Sequence, residues 1–95
     1  MSEEFTVEEK TISGIRSKKA ELKKPIQIII ETHSDDDFVS KYKDIISGWG
    51  VTKSEAINHI KSEIVELYFE LKEDKGLEPY EKDWLKDLKR ILKEK

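Results

Sequence analysis

Residues 48–71 constrain the fold of this chain more than any other part of its sequence. Thr52 and Glu55 have the spacing of a capping box, in which the first side chain caps a helix and the second reaches back toward its start. Beyond this signal, apolar residues recur at helical intervals: Ile57, Ile60, Ile64, Leu67, Tyr68 and Leu71. The sequence therefore predicts a short strand over residues 47–51 and an amphipathic helix over residues 53–73.

Two further strands are predicted before this helix. Residues 26–32 are rich in β-branched isoleucine and follow Pro25, which can begin a strand without removing a central hydrogen bond. Their even-numbered isoleucines share one face, and Ile29 is the apolar exception on the other. An acidic turn over residues 33–37 then leads to a second strand over residues 38–46, because Asp and Ser side chains favour tight connections.

Gly76 and Pro79 mark the boundary between two predicted helices. Gly76 suits a left-handed residue after the first helix, and Pro79 suits the first turn of the second. The second helix, over residues 80–95, has one apolar stripe: Tyr80, Trp84, Leu88, Ile91 and Leu92. The predicted class is α+β, a small antiparallel sheet of about three strands with one long helix on a face, plus a C-terminal amphipathic helix.

The same pattern divides the chain into three segments. Residues 1–24 are an N-terminal arm of uncertain order, in which residues 5–12 could be a strand or a docked arm. Residues 25–75 are the α+β core, and residues 76–95 are the C-terminal helix. A chain of 95 residues suits one small domain with a modest core, which dimerisation would help to stabilise. We therefore expect a homodimer or a higher homo-oligomer.

Composition excludes several classes of protein. The chain has no cysteine, which rules out disulfides, thiolate nucleophiles and cysteine-based zinc sites. Its longest apolar run is too short to span a bilayer, and its acidic start lacks the apolar centre of a signal peptide. We therefore expect a cytoplasmic protein. A net charge of −3 argues against nucleic-acid binding by the whole surface but not by a local basic patch.

Few side chains suggest catalysis. His33 and the acids of residues 35–37 could together hold Mg²⁺, Mn²⁺ or Zn²⁺. Neighbouring acids in one turn rarely converge on an ion, however, so a turn is the favoured interpretation. His59 is interpreted as a surface residue of the long helix, and the chain has neither a nucleophile elbow nor a Gly-rich phosphate loop. We expect no enzymatic activity, no cofactor and no metal site.

A basic cluster in the N-terminal arm leaves two interpretations open. Its members are Arg16, Lys18, Lys19, Lys23 and Lys24. The cluster is either a solvated linker or a surface that contacts phosphates, and the second interpretation makes nucleic-acid binding an alternative function. Tyr42 and Trp49 near Lys41 and Lys43 could likewise stack on bases, although such aromatics are more often core or interface residues.

The order of these elements resembles the HicB family of antitoxins. In that family a strand leads through an acidic turn into a strand that starts with an aromatic residue and valine, as residues 26–32, 35–37 and Phe38-Val39 do here. A short strand with a Gly-x-Thr join then opens a helix, as residues 50–52 do here. The family's helix carries a sequence pattern similar to Glu-Ala-x-x-Asn, and Glu55-Ala56-Ile57-Asn58 partly matches it.

The resemblance covers residues 26–71 and implies a partner. HicB-like proteins bind and neutralise small HicA-type toxins that cleave RNA, so a small basic toxin is the expected partner. On this interpretation large side chains would dominate the interface, and the expected contact residues are Phe38, Tyr42, Trp49, Trp84 and Leu88. Operator DNA binding is not expected, because residues 80–95 are predicted as a helix and no helix-turn-helix or ribbon-helix-helix segment follows.

Overall fold

Four strands form the main antiparallel sheet in the computed structural model, which describes residues 5–95. The elements are β1 (Thr6–Ile12), β2 (Ala20–Leu22), β3 (Ile26–Ser34), β4 (Asp37–Tyr42), β5 (Ile46–Gly50), α1 (Lys53–Glu73), α2 (Pro79–Ile91) and β6 (Leu92–Glu94). The sheet order is β1-β3-β4-β5, and β2 pairs with β6 in a separate ribbon. The α+β class with a long helix and a C-terminal helix is confirmed, whereas the count of about three strands was too low.

Strand β3 is an interior strand of the main sheet, and its side chains alternate between the two faces as predicted. Ile26, Ile28 and Ile30 are buried on the face that the helices cover. Ile29 points the other way and remains 39% exposed. The predicted division of this strand into two faces is therefore confirmed, and the strand extends two residues past its predicted end, to Ser34.

The turn between β4 and β5 explains why the second strand is shorter than predicted. Lys43 takes a left-handed backbone conformation with φ of 51°, and the Ile45 amide donates to the Tyr42 carbonyl at 3.3 Å. This conformation ends β4 at Tyr42, four residues before the predicted end. The chain reverses over residues 43–45, so that Tyr42 pairs with Ile46 at the start of β5.

Helix α1 begins and ends where the sequence predicts. The Thr52 hydroxyl accepts a hydrogen bond from the Glu55 amide at 3.1 Å, which confirms the cap. The Glu55 carboxylate accepts from the Val51 amide at 2.9 Å, one residue earlier than a standard capping box would place it. Ile60 and Ile64 are fully buried against the sheet.

Helix α1 approaches β5 closely because two residues of that strand have no side chain. A Cβ on Gly48 would lie 2.8 Å from the Ile60 amide nitrogen, and one on Gly50 would lie 2.5 Å from the Ala56 amide nitrogen. Ser40 on β4, the buried polar residue of the described core, donates to the Ala56 carbonyl at 2.7 Å. These contacts fix α1 over β4 and β5.

The C-terminal helix ends earlier than predicted. Pro79 occupies the first turn as expected, but α2 ends at Ile91 and residues 92–94 pair with β2. The Lys23 amide donates to the Ile91 carbonyl at 2.7 Å, so that the strand takes over where the helix stops. The left-handed conformation predicted for Gly76 was wrong, since none of the glycines within residues 5–95 has a positive φ.

The segment interpreted as an arm contributes to the fold from residue 5 onward. It supplies β1 and β2, and Ile12, Ile15 and Ala20 are buried in the core beside residues of α1 and α2. The first four residues of the predicted arm lie outside the described part of the chain. Neither α1 nor α2 combines the length and apolar character needed to cross a membrane, and they are the helices of the described residues.

Candidate partner-binding surface

One face of the main sheet lies against the helices, and the opposite face, here called the open face, does not. The strand register places its side chains in two rows across β1, β3, β4 and β5. The first row is Val7, Glu31, Val39 and Trp49, and the second is Glu9, Ile29, Lys41 and Ser47. Directly paired residues project to the same side of an antiparallel sheet, so both rows face away from α1.

The open face concentrates the exposed large hydrophobic side chains of residues 5–95. Val7 is 56% exposed and Trp49 54% exposed, and Ile29 lies between their strands. Phe5 continues the same face beyond β1 and stacks on His33 with ring centroids 4.5 Å apart. Exposed apolar side chains gathered on one face are typical of an interaction surface, whereas single scattered ones need no explanation.

Trp49 is held in a defined orientation although half of its surface is exposed. Its indole nitrogen donates to the Asp37 carboxylate at 2.8 Å. Its backbone amide donates to Nδ1 of His59 on α1 at 2.9 Å, which fits a His59 tautomer whose Nε2 proton faces the Glu63 carboxylate at 3.2 Å. A large aromatic side chain fixed in this way loses little rotamer freedom when a partner binds.

Glu31 lies at the centre of the open face in a small charge network. Its carboxylate accepts from Lys41 Nζ at 2.9 Å and contacts His33 Nε2 at 2.9 Å. The hydrogen bond from Lys41, followed by that from His33, lowers the pKa of Glu31 below its ordinary value despite its partial burial. Glu31 is therefore ionised at neutral pH and fixes the side chains on either side of it.

The acidic turn between β3 and β4 borders the open face beside Trp49. Asp35 and Asp36 are exposed there, and Asp37 bonds to the indole of Trp49. Asp36 accepts from the Ser34 hydroxyl at 2.9 Å, and His33 is turned toward Glu31 instead of the acids. Within residues 5–95 no three His, Asp or Glu side chains are grouped to hold a metal ion.

The five predicted contact residues do not share one surface. Trp49 lies on the open face, whereas Phe38 and Tyr42 lie on the face toward the helices and Trp84 and Leu88 lie on α2. Tyr42 is 4% exposed and Leu88 is fully buried. Phe38 and Trp84 are partly buried against the core, so Trp84 packs within its own chain. In this conformation Trp49 is the predicted contact residue most available to a partner.

Tyr42 joins the sheet to α2 through Asp87. Its hydroxyl donates to Asp87 at 2.9 Å, and Lys43 contacts the same carboxylate at 2.6 Å. Burial, reinforced by this hydrogen bond, raises the pKa of Tyr42. Burial opposes ionisation of Asp87, but the hydrogen bonds from Lys43 and Tyr42 outweigh it and lower its pKa. Tyr42 therefore has a structural role and cannot stack on a base.

The predicted basic cluster divides into two parts. Lys23 packs on the end of α2, where its Nζ donates to the Lys89 carbonyl at 2.9 Å, and Lys24 borders the same helix. Arg16 and Lys19 instead line a cleft of about 360 Å³ against α1. Lys61 of α1, which the sequence did not place near this cluster, lines the cleft with them. Lys18 is exposed and lines neither the cleft nor the hollow beside α2.

The residues of the open face that sequence reasoning missed had a detectable signal. Ile29 is an apolar residue on the polar side of its strand, and Val39 falls on the same side of β4. Val7 alternates with Glu8, but one valine in an acidic segment gives no apolar stripe. The signal was the coincidence of Ile29, Val39 and Trp49 on one side of three successive strands.

No protein-family model, curated protein or solved structure matches this chain.

Proposed function

We propose that this chain is a protein-binding module of HicB type that neutralises a small basic, RNA-cleaving protein by covering it with the open face. The observation that carries the proposal is Trp49, which is 54% exposed on an uncovered sheet face and fixed by Asp37. Exposed aromatic anchors of this kind dominate the energy of protein interfaces. The order of strands, turn and capped helix that resembles HicB antitoxins supports the same function.

Charge favours a basic partner. The open face and its bordering turn carry Glu9, Glu31, Asp35, Asp36 and Asp37, with Lys41 as the basic side chain among them. A protein that cleaves RNA must hold phosphates and therefore exposes basic side chains where its substrate binds. An acidic surface around an aromatic anchor would occupy that site, speed association and exclude RNA.

A capture experiment with matched variants tests this function. Trp49→Ala should weaken partner binding by about 2 kcal/mol, or roughly thirtyfold in Kd, because it removes the aromatic anchor. Tyr80→Ala is the control, since Tyr80 is 55% exposed but lies on α2, away from the open face. Wild type and both variants would be used as bait in lysate of the source cells, and retained proteins identified by mass spectrometry.

The captured protein must then behave as a toxin. We expect a small basic protein that the wild type and Tyr80→Ala retain and Trp49→Ala loses. The purified partner should cleave RNA, and an equimolar amount of the wild-type chain should stop the cleavage. Retention of the same partner by all three baits would contradict binding through the open face, and a partner without RNA cleavage would contradict the toxin assignment.

The basic cleft favours nucleic-acid binding as a second candidate function. Arg16, Lys19 and Lys61 line it together, and an adjoining hollow adds Lys10. Glu66 is the acidic side chain of the cleft lining. The observation that favours phosphate contacts is that these cations converge on one cleft although they come from separate elements. Lys61 is far from the others in sequence and joins them only through the fold.

Salt dependence separates this candidate from the first. If the cleft binds phosphates, Arg16→Glu with Lys61→Glu should abolish binding to single-stranded RNA or DNA and should remove its dependence on salt. Lys82→Glu with Lys86→Glu is the control with the same change in net charge, since both lysines are exposed on α2 and outside the cleft lining. Fluorescence anisotropy at several salt concentrations measures both quantities. An equal loss of nucleic-acid binding in the control variant would show that the chain attracts nucleic acid through its overall charge and not through a site in the cleft.

A further inference from the structure

The two edges of the main sheet differ in what covers their backbone. On β5 and just after it, the amides of Trp49 and Val51 donate to the side chains of His59 and Glu55, both on α1. These side chains occupy donors that would otherwise be free to pair with another strand. Strand β1, at the opposite edge, has no comparable cover within residues 5–95, where its backbone bonds run to β3.

Strand β1 is also exposed on both of its faces. Residues 6–11 are all exposed, and Ile12 at its end is buried. Helix α1 packs mainly over β4 and β5 and contacts β1 through the ion pair between Lys53 and Glu8. An edge strand whose side chains are also exposed on both faces is the part of this sheet most accessible to an added strand.

The charges on β1 indicate which strand fits. In an antiparallel sheet, residues directly opposite each other project to the same face. If two copies of β1 pair symmetrically, the two-fold axis must therefore pass between one residue and its own copy directly opposite, and not between two residues that project to different faces. Centring on Glu9 sets Glu8 opposite Lys10 of the second copy, and this happens twice. Centring on Glu8 or Lys10 instead places that residue opposite its own copy and forms no direct Glu–Lys pair.

We propose that β1 pairs antiparallel with β1 of a second copy, centred on Glu9, to join two four-stranded sheets into one. The two-fold axis is perpendicular to the sheet and passes between the two Glu9 residues. The helices of both copies therefore lie on one side of the joined sheet, and both open faces lie on the other. The Glu8 carboxylate already contacts Lys53 Nζ at 2.7 Å, and the second copy's strand brings another lysine to it. This pairing does not depend on the identity of any toxin.

Charge reversal followed by mixing tests the register. Glu8→Lys alone sets two lysines opposite each other in each cross-strand pair, and Lys10→Glu alone sets two glutamates opposite each other. Each single variant should dimerise at least tenfold more weakly than the wild type, because like charges directly opposite destabilise a strand pair.

Mixing the two variants should rescue the dimer. In a heterodimer of Glu8→Lys with Lys10→Glu, each chain contributes one residue to each of the two cross-strand pairs. Position 8 of the first variant is lysine and faces position 10 of the second, which is glutamate. Position 10 of the first is lysine and faces position 8 of the second, which is glutamate. Both pairs therefore have opposite charges, and the mixture should dimerise about as tightly as the wild type in sedimentation equilibrium.

Two controls make the result specific. Glu70→Lys reverses an exposed charge on α1 and should leave dimerisation unchanged. Glu9→Thr removes the one like-charge contact at the axis and should tighten the dimer severalfold. Hydrogen exchange of the wild-type chain at low and high concentration, which needs no substitution, should show protection of β1 amides that rises with concentration.

Several outcomes would overturn the proposal. A wild-type chain that stays monomeric up to millimolar concentration would do so, and so would a dimer that both single variants retain. A mixture that remains monomeric while each variant folds would exclude the register centred on Glu9. A dimer that Trp49→Ala disrupts and Lys10→Glu does not would place the contact on the open face instead of the β1 edge.

Discussion

Replacing Gly50 with alanine should destabilise the fold by about 3 kcal/mol, because the added Cβ overlaps backbone atoms that cannot rotate away. The Cβ would lie 2.5 Å from the Ala56 amide nitrogen and 2.8 Å from the Glu55 carbonyl carbon, both in the first turns of α1. Relieving the overlap requires moving the helix away from β5. Urea unfolding followed by circular dichroism measures the free energy of unfolding.

Gly14 provides the matched control for this substitution. A Cβ at Gly14 would meet no atom within 4 Å, and its φ is not positive. Gly14→Ala should therefore be neutral or stabilise the chain by about 0.4–1 kcal/mol, since alanine has less freedom in the unfolded state. Equal free energies of unfolding for the two variants would show that α1 does not press against β5 at Gly50.

Leu88→Ala is the second large effect, and we expect it to cost about 2–5 kcal/mol of stability by opening a cavity under α2. Leu88 is completely buried, with 0% of its surface accessible to solvent. It belongs to the same core as Ile28, Ile30 and Ile64. Thermal unfolding and urea unfolding should both shift, whereas partner binding by the folded fraction should remain unchanged.

Lys82→Ala on the same helix is the control for this second prediction. Lys82 is exposed, and its replacement should change stability by less than about 0.5 kcal/mol. The sequence alone placed Leu88 among the expected contact residues. If Leu88→Ala weakened partner binding while leaving the free energy of unfolding unchanged, that assignment would stand and the packing of α2 described above would be wrong.

Helix α1 could be predicted to the residue because its signals are local. A cap at Thr52 and apolar spacing through Leu71 determine the helix without reference to the rest of the chain. Strand β1 could not be predicted with the same certainty, since its acidic residues give no apolar stripe and its pairing with β3 joins distant parts of the sequence. Leu92 suited the helical stripe equally well, and only contact with β2 makes it a strand residue.

The open face was only partly predictable for the same reason. Trp49 stood out as a large aromatic, but which side of β5 meets the helix depends on packing. Gly48 and Gly50 carry that information, because glycines that permit close approach of α1 must lie on the helix side and thus turn Trp49 outward. Assembly of Arg16 with Lys61 had no sequence signal, since it depends on how the β1–β2 connection crosses α1.

The side chains of His59 and Glu55 over β5 have a consequence for stoichiometry. A sheet with two free edges can add copies at both sides without limit, which is the route to fibres. Here two side chains of α1 occupy backbone donors at the β5 edge and obstruct it, so a strand added at β1 uses the other edge. With the proposed β1 pairing, growth of the sheet by main-chain pairing would end after a single addition, and the product would be a finite particle with no growing end.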